Sequence, residues 1–128
     1  MVKGHIRRDK KMIKNAIIKD TFLGFDDHGI LTFYITLDYG GSCQSFGGRG
    51  LCMPKFDHEN RYICRVGSAF GTELILQTLK VLEVDNWEKL KGLSCRADVV
   101  NGSISSIGHY LKDNWVNPVS IAAYMYGR

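Results

Sequence analysis

The sequence predicts an α+β domain. A mainly antiparallel sheet from two hairpins carries one main helix, a short helix and a C-terminal helix packed on one face. Three observations support this. Two runs rich in β-branched and aromatic residues, Ala16 to Phe25 and Ile30 to Tyr39, flank Asp26-Asp27-His28-Gly29. Asn101-Gly102 separates two further alternating runs. Between the two hairpins, Ser68 precedes apolar residues at helical spacing.

Each element follows from its residues. Gly29 takes the positive φ that a tight hairpin requires. In the second strand Leu31, Phe33, Ile35, Leu37 and Tyr39 form the more apolar alternate set and are expected to face the core. Residues 40–50, GGSCQSFGGRG, are too rich in glycine for an unbroken regular strand. A short strand is expected from Leu51 to Pro54, and residues 55–62 read as an exposed polar loop. The main helix runs from Ala69 to Glu83, with Ser68 as N-cap, Ile75, Leu79 and Leu82 on its buried stripe, and Phe70 and Leu74 extending the buried side. Asp85 and Glu88 form an Asp version of the capping box, opening a short helix that Gly92 ends. The two-residue Asn101-Gly102 loop sets Val99 opposite Ile104, Ala97 opposite Ser106 and Cys95 opposite Gly108. Leu93, Cys95, Ala97, Val99, Ile104 and Tyr110 then share an apolar face. Asn117-Pro118 supplies an N-cap and a first-turn proline for the C-terminal helix.

With 128 residues, 45% hydrophobic and 23% charged, the chain has the size and composition of one globular domain. It divides into a basic arm, residues 1–12, and a domain, residues 13–128. No apolar run approaches the ~20 residues that span a bilayer. MVKGHIRRDKK leads into no signal-peptide core, so a cytoplasmic location without membrane partners is expected. Free thiols are then the default for Cys43, Cys52, Cys64 and Cys95. The first 19 residues hold Lys3, Arg7, Arg8, Lys10, Lys11, Lys14 and Lys19 against the single acid Asp9, whereas the remainder is slightly acidic. Such an arm either solvates the chain or attracts phosphate, with Arg7, Arg8, Lys10, Lys11 and Lys14 as the nucleic-acid contacts.

No hydrolase signature is present: neither G-x-S-x-G nor H-E-x-x-H occurs. The glycine-rich segment offers two readings. Gln44, Phe46, Gly47, Gly48 and Arg49 form a ligand loop with inward N–H groups, an amide, a ring and a guanidinium. Alternatively, the segment is a strand where close packing demands glycine. His28 at one hairpin tip and His109 at the end of another strand form an acid/base pair if those ends converge. Both are equally ordinary turn residues. Cys43, Cys52, His58 and Cys64 make a chemically acceptable zinc set, but they lack the close cysteine pair of most structural sites. No metal and no cofactor is assigned. Trp115 either stacks on a ligand ring or packs in the core.

The strings LGFDDHGILTFYITLDYGGSCQSFGG, GSAFGTELI, VDNWEKLKG and IGHYLKDNWVNP together resemble a family of small accessory proteins of tailed bacteriophages and prophages, over Thr21 to Pro118. The family lends no catalytic or binding residues. The resemblance implies a protein acting in the infected bacterial cytoplasm, where chains of this size often inhibit host defence; that step is association. The expected function is a non-enzymatic binding protein that counters a host defence system. It would sequester a nucleotide-type signal or block a host nuclease or CRISPR-type complex. Its expected site gathers His28, Gln44, Phe46, Gly47, Gly48, Arg49, His109 and Trp115 around one hollow. Tyr39, Tyr110 and Tyr124 are the anchors for a protein partner. Two alternatives stand beside it: a nucleic-acid-binding accessory protein using the basic arm, and a small hydrolase using His28 and His109. Homo-oligomers are compatible with all three.

Overall fold

The computed structural model describes residues 11–127. In chain order the elements are β1 (Lys11–Phe25), β2 (Leu31–Asp38), β3 (Cys43–Gly47), β4 (Cys52–Phe56), β5 (Tyr62–Gly67), α1 (Ala69–Leu82), β6 (Ser94–Val100), β7 (Ser103–His109), β8 (Trp115–Val116) and α2 (Pro118–Tyr126). The fold is α+β and its strand pairs are antiparallel. One sheet has the order β3-β2-β1-β6-β7-β8, and β4 and β5 form a separate hairpin.

β1 organises the sheet. Its first half, Lys11 to Ile17, pairs with β6, and from Ile17 onward it pairs with β2 on its other side. A bulge at Lys19 marks the change of partner and bends the strand there. β3 then swings across toward β7, where Gln44 Nε2 donates to the Gly102 carbonyl at 2.6 Å. Strands β1, β2, β3, β7 and β6 therefore curl into a partly open barrel. Inside lie Ile18, Phe33, Ile35, Leu37, Phe46, Cys95, Ala97 and Ile107. Leu51, Leu74, Leu90 and Val116 extend this core. Burial pushes the Cys95 thiol up to about 12, so that side chain serves as a small apolar residue.

The local signals act largely as predicted. Phe33, Ile35 and Leu37 are buried, with Leu31 and Tyr39 packed against them. Ser68 Oγ accepts from the Gly71 N–H at 2.9 Å, and Asn117 Oδ1 accepts from Val119 and Ser120. Asn101 and Gly102 both have positive φ, as a type I′ turn requires.

Several expectations are corrected. β1 begins at Lys11, five residues early, because β6 gives those backbone groups a partner. The short helix after Asp85 is a single 3-10 turn, Trp87–Lys89, capped by Asn86 rather than Asp85. On α1, Leu74 and Leu82 are buried as expected, but Thr78 and Val81 complete the stripe and Ile75 and Leu79 are half-buried beside it. A bulge between Asp98 and Val99 pairs Ala97 with Ile107 and Cys95 with His109. That extra residue lets Ile104 and Ile107 both reach the core and leaves Tyr110 exposed, contrary to the two-residue alternation. The loop expected over 55–62 is shorter, residues 57–61: Phe56 ends β4 and Tyr62 starts β5.

Candidate nucleic-acid interface

Two of the three predicted segments meet at one end of the barrel. Between β1 and β2 the Asp27–Gly29 turn places His28 at φ +67° and Gly29 at +72°. Beside it, residues 48–51 fold back along the start of β2. Gly48 N–H donates to the Phe33 carbonyl at 2.7 Å and Leu51 N–H to that of Leu31 at 2.8 Å. Thr32 Oγ1 ties down the Arg49 carbonyl at 2.6 Å, which leaves the Arg49 side chain in solvent. Gly47 is required by packing: a Cβ there would sit 2.4 Å from the Phe33 carbonyl oxygen.

The outer face of β1 and β2 adjoins this loop. Phe22 lies opposite Tyr34, their ring centroids 6.3 Å apart, and Tyr34 donates its hydroxyl to Asp26 Oδ2 at 2.6 Å. Tyr34 also lines the space beside Gly48. Further along, Thr36 and Ser45 share a hydrogen bond between β2 and β3.

From Leu51 the chain rises into the β4–β5 hairpin, whose base is fixed by the Ser68 N–H donating to the Leu51 carbonyl. Its tip is held by Asp57, whose carboxylate accepts from the Glu59 and Arg61 N–H groups. The Arg61 backbone bond is the main cause holding the Asp57 carboxyl below its usual range. The arms are solvated on both faces. Phe56 and Tyr62 meet edge to face at 6.3 Å and are 52% and 60% exposed, with Pro54 and Arg65 opposite each other next in the ladder. Met53, Lys55, Cys64 and Val66 occupy the other face and are also exposed, whereas Cys52, at the base on the Pro54 face, is half-buried. Sequence reasoning gave the first strand of this hairpin and missed the second. The signal was the alternation from Tyr62 to Val66, outweighed by the polar run Asp57 to Arg61 that is its turn.

The remaining site residues lie elsewhere. Cys95 pairs with both Ala16 and His109, so His109 sits level with Ala16 on β1. The Asp27–Gly29 turn lies beyond Phe25, which is nine residues or about 30 Å of strand rise further on. His28 and His109 therefore share no hollow. His109 is taken up in structure: Nδ1 accepts the N–H groups of Leu111 and Lys112 at 3.0 Å, and Nε2 lies 3.5 Å from Glu83. The bond from Lys112, followed by attraction to Lys112 and His109, holds the Glu83 carboxyl below its usual range. Trp115 is likewise engaged. Its ring lies against Gly108, with the Arg96 guanidinium 4.9 Å from its centroid, and its Nε1 donates to Asp113. Only part of the ring reaches a cleft of ≈460 Å³ shared with Glu73, Ile121 and Tyr124.

Phe46 is corrected outright. It is 1% exposed, packed on Phe33 at 6.3 Å, and offers no ring to a ligand. Gln44 braces β3 against the Gly102 carbonyl. Tyr39 is half-buried, while Tyr110 and Tyr124 are exposed. Of the basic residues, Lys11 and Lys14 belong to β1, where Lys14 is half-buried opposite Ala97. Arg7, Arg8 and Lys10 lie outside the described residues. Cys43 is on β3, whereas Cys52 and Cys64 are on the hairpin, and no three His, Cys, Asp or Glu gather among the described residues.

No family model, curated protein or solved structure matches this chain. Among the described residues no helix is long and apolar enough to cross a membrane.

Proposed function

We propose that this protein binds single-stranded nucleic acid along the outer face of β1 and β2 and onto the β4–β5 hairpin. The carrying observation is two pairs of rings, one on the sheet and one on the hairpin, joined by the loop that bears Arg49. Phe22 and the half-buried Tyr34 lie on the sheet and Phe56 and Tyr62 on the hairpin, where Arg65 shares the ring face and Lys55 the opposite one. Rings that accept a base on either face, beside guanidinium and ammonium groups that meet phosphates, are what an unpaired strand recognises.

The topology supports the reading. A three-strand meander, the β4–β5 hairpin, a helix and a further hairpin follow in order, with β1 paired to both β2 and β6 and β3 turned toward β7. With the β4–β5 hairpin as an insertion, that is the connectivity of OB-type barrels, which take oligonucleotides on the face of their second and third strands and on the loops that join strands one to two and four to five. Fold class alone assigns nothing, so the weight rests on the side chains. The hairpin points the same way. Pro54 on β4, and the bulge and Arg65 on β5, guard its edges against another strand, leaving its faces for a ligand. In the bacterial cytoplasm implied by the phage resemblance, such a surface would hold unpaired host or phage strands.

The test is fluorescence anisotropy with a labelled oligothymidylate of about 15 nucleotides. Each of Phe56→Ala and Tyr62→Ala should weaken binding by about 1–3 kcal/mol, the value of one stacked base. Tyr124→Ala, exposed on α2, should leave affinity unchanged. No binding at low salt, or ring variants indistinguishable from the native chain, would overturn the reading.

A further inference from the structure

The edge of β1 beyond Ile18 has no neighbouring strand among the described residues and plays no part in the nucleic-acid reading. β6 ends at Ser94, and the last main-chain bonds on that side of β1 are Ile18 N–H to the Leu93 carbonyl and Gly92 N–H to the Ile18 carbonyl. From Thr21 to Phe25 the strand pairs with β2 alone. Its core-side residues there are Thr21, Leu23 and Phe25, which face the same way as Ile35, Phe33 and Leu31. Yet Leu23 is 44% and Phe25 72% exposed. A cleft of ≈460 Å³ runs beneath this edge, lined by Thr21, Phe22, Leu23, Trp87, Glu88 and Lys91.

Edges of this kind template pairing, and proteins blunt them with proline, charge, bulges or short length. Other edges among the described residues carry such devices. β8 is two residues long, β3 is braced to Gly102, β4 has Pro54, and β5 has a bulge and Arg65. Thr21 to Phe25 has neither proline nor charge; a charge stands at its near end, where the Asp20 carboxylate accepts the Thr21 N–H at 2.9 Å and has to turn aside when a strand pairs there. We propose that it pairs antiparallel with the same edge of a second copy, across a two-fold axis near Phe22.

That occupant follows from the strand's own pattern. In the two-fold register Thr21 faces Leu23 of the second copy on the core side, and Asp20 faces Gly24 on the outer side. Lys19 comes level with Phe25 of the second copy, its ammonium turned toward Cys43 on β3, and no like charges stand directly across the ladder. Phe25 and Leu23 of both copies then close over the clefts beside Trp87. Isologous contacts of this sort are the commonest route to a homodimer. The joined sheets run β2-β1-β1-β2, and they leave Phe22 and Tyr34 on the outer face.

Sedimentation equilibrium from about 1 to 100 μM tests this, since micromolar association falls in that window. The native chain should be dimeric at the upper end. Phe25→Lys should raise the dissociation constant at least about tenfold (1.4 kcal/mol), and Leu23→Lys with Phe25→Lys should give a monomer with unchanged far-UV circular dichroism. Leu76→Lys, exposed on α1, is the control and should dimerise normally. A native chain monomeric at about 100 μM, or dimerisation untouched by Phe25→Lys, would overturn the proposal. Oligonucleotide binding is not part of the readout, so either proposal can fail alone.

Discussion

Gly47 shows how a single residue is held by its neighbours. Its φ is +113°, and the Phe33 carbonyl lies where a side chain would begin. Gly47→Ala should therefore destabilise the fold by about 1–3 kcal/mol, the cost of a strained backbone position, read as a lower urea midpoint. An unchanged midpoint would mean that β3 shifts freely away from β2. In contrast, Gly40 and Gly41 have positive φ and open space, so their requirement is conformational alone. The sequence showed that this segment needs glycine but not which need was which. Phe46 makes the same point from the other side. Between glycines it reads as a free ring, whereas its pairing with Ile35 turns it into the core. His109 and Trp115 were equally ambiguous, and both are used up in bracing the chain after β7.

Elements with a chemical start signal were legible and those defined by partners were not. The Ser68 cap, the Asn117 cap and the Asn101-Gly102 turn each act through atoms a few residues apart, so local sequence suffices. Ser68→Ala should cost α1 about 1 kcal/mol, measurable as a fall in Tm of several degrees. Loss of less than a few tenths would show that packing of Leu74 and Leu82 alone fixes the helix start. The β4–β5 hairpin behaves differently. An isolated two-stranded hairpin is marginal in water, and this one is held at its base, by the Phe56–Tyr62 contact and by the Asp57 turn. The sequence kept its turn and hid its second strand.

Across the whole molecule, charge and shape combine at one end. If Arg49, Lys55 and Arg65 carry the phosphate contacts, the log–log salt slope on single-stranded DNA should be near −2, from about −0.7 per contact. A slope steeper than about −4 would bring in further cations, with the N-terminal residues the first to test by deletion. The expected common hollow is absent because β1 is long. It carries the Asp27–Gly29 turn past Phe25, nine residues of strand beyond the level of His109 at the end of β7. That separation leaves an extended surface rather than a closed pocket, which suits a polymer more than a small nucleotide.

The sequence by itself determined the α+β class, the alternating core of β2, the capped helices and the turn between β6 and β7. All of these depend on residues near one another along the chain. Tertiary structure alone decided the curl of the sheet, the change of partner along β1 and the exposure of the aromatic rings. Those depend on which strand lies beside which, and pairings between distant segments leave no mark in the period of either one.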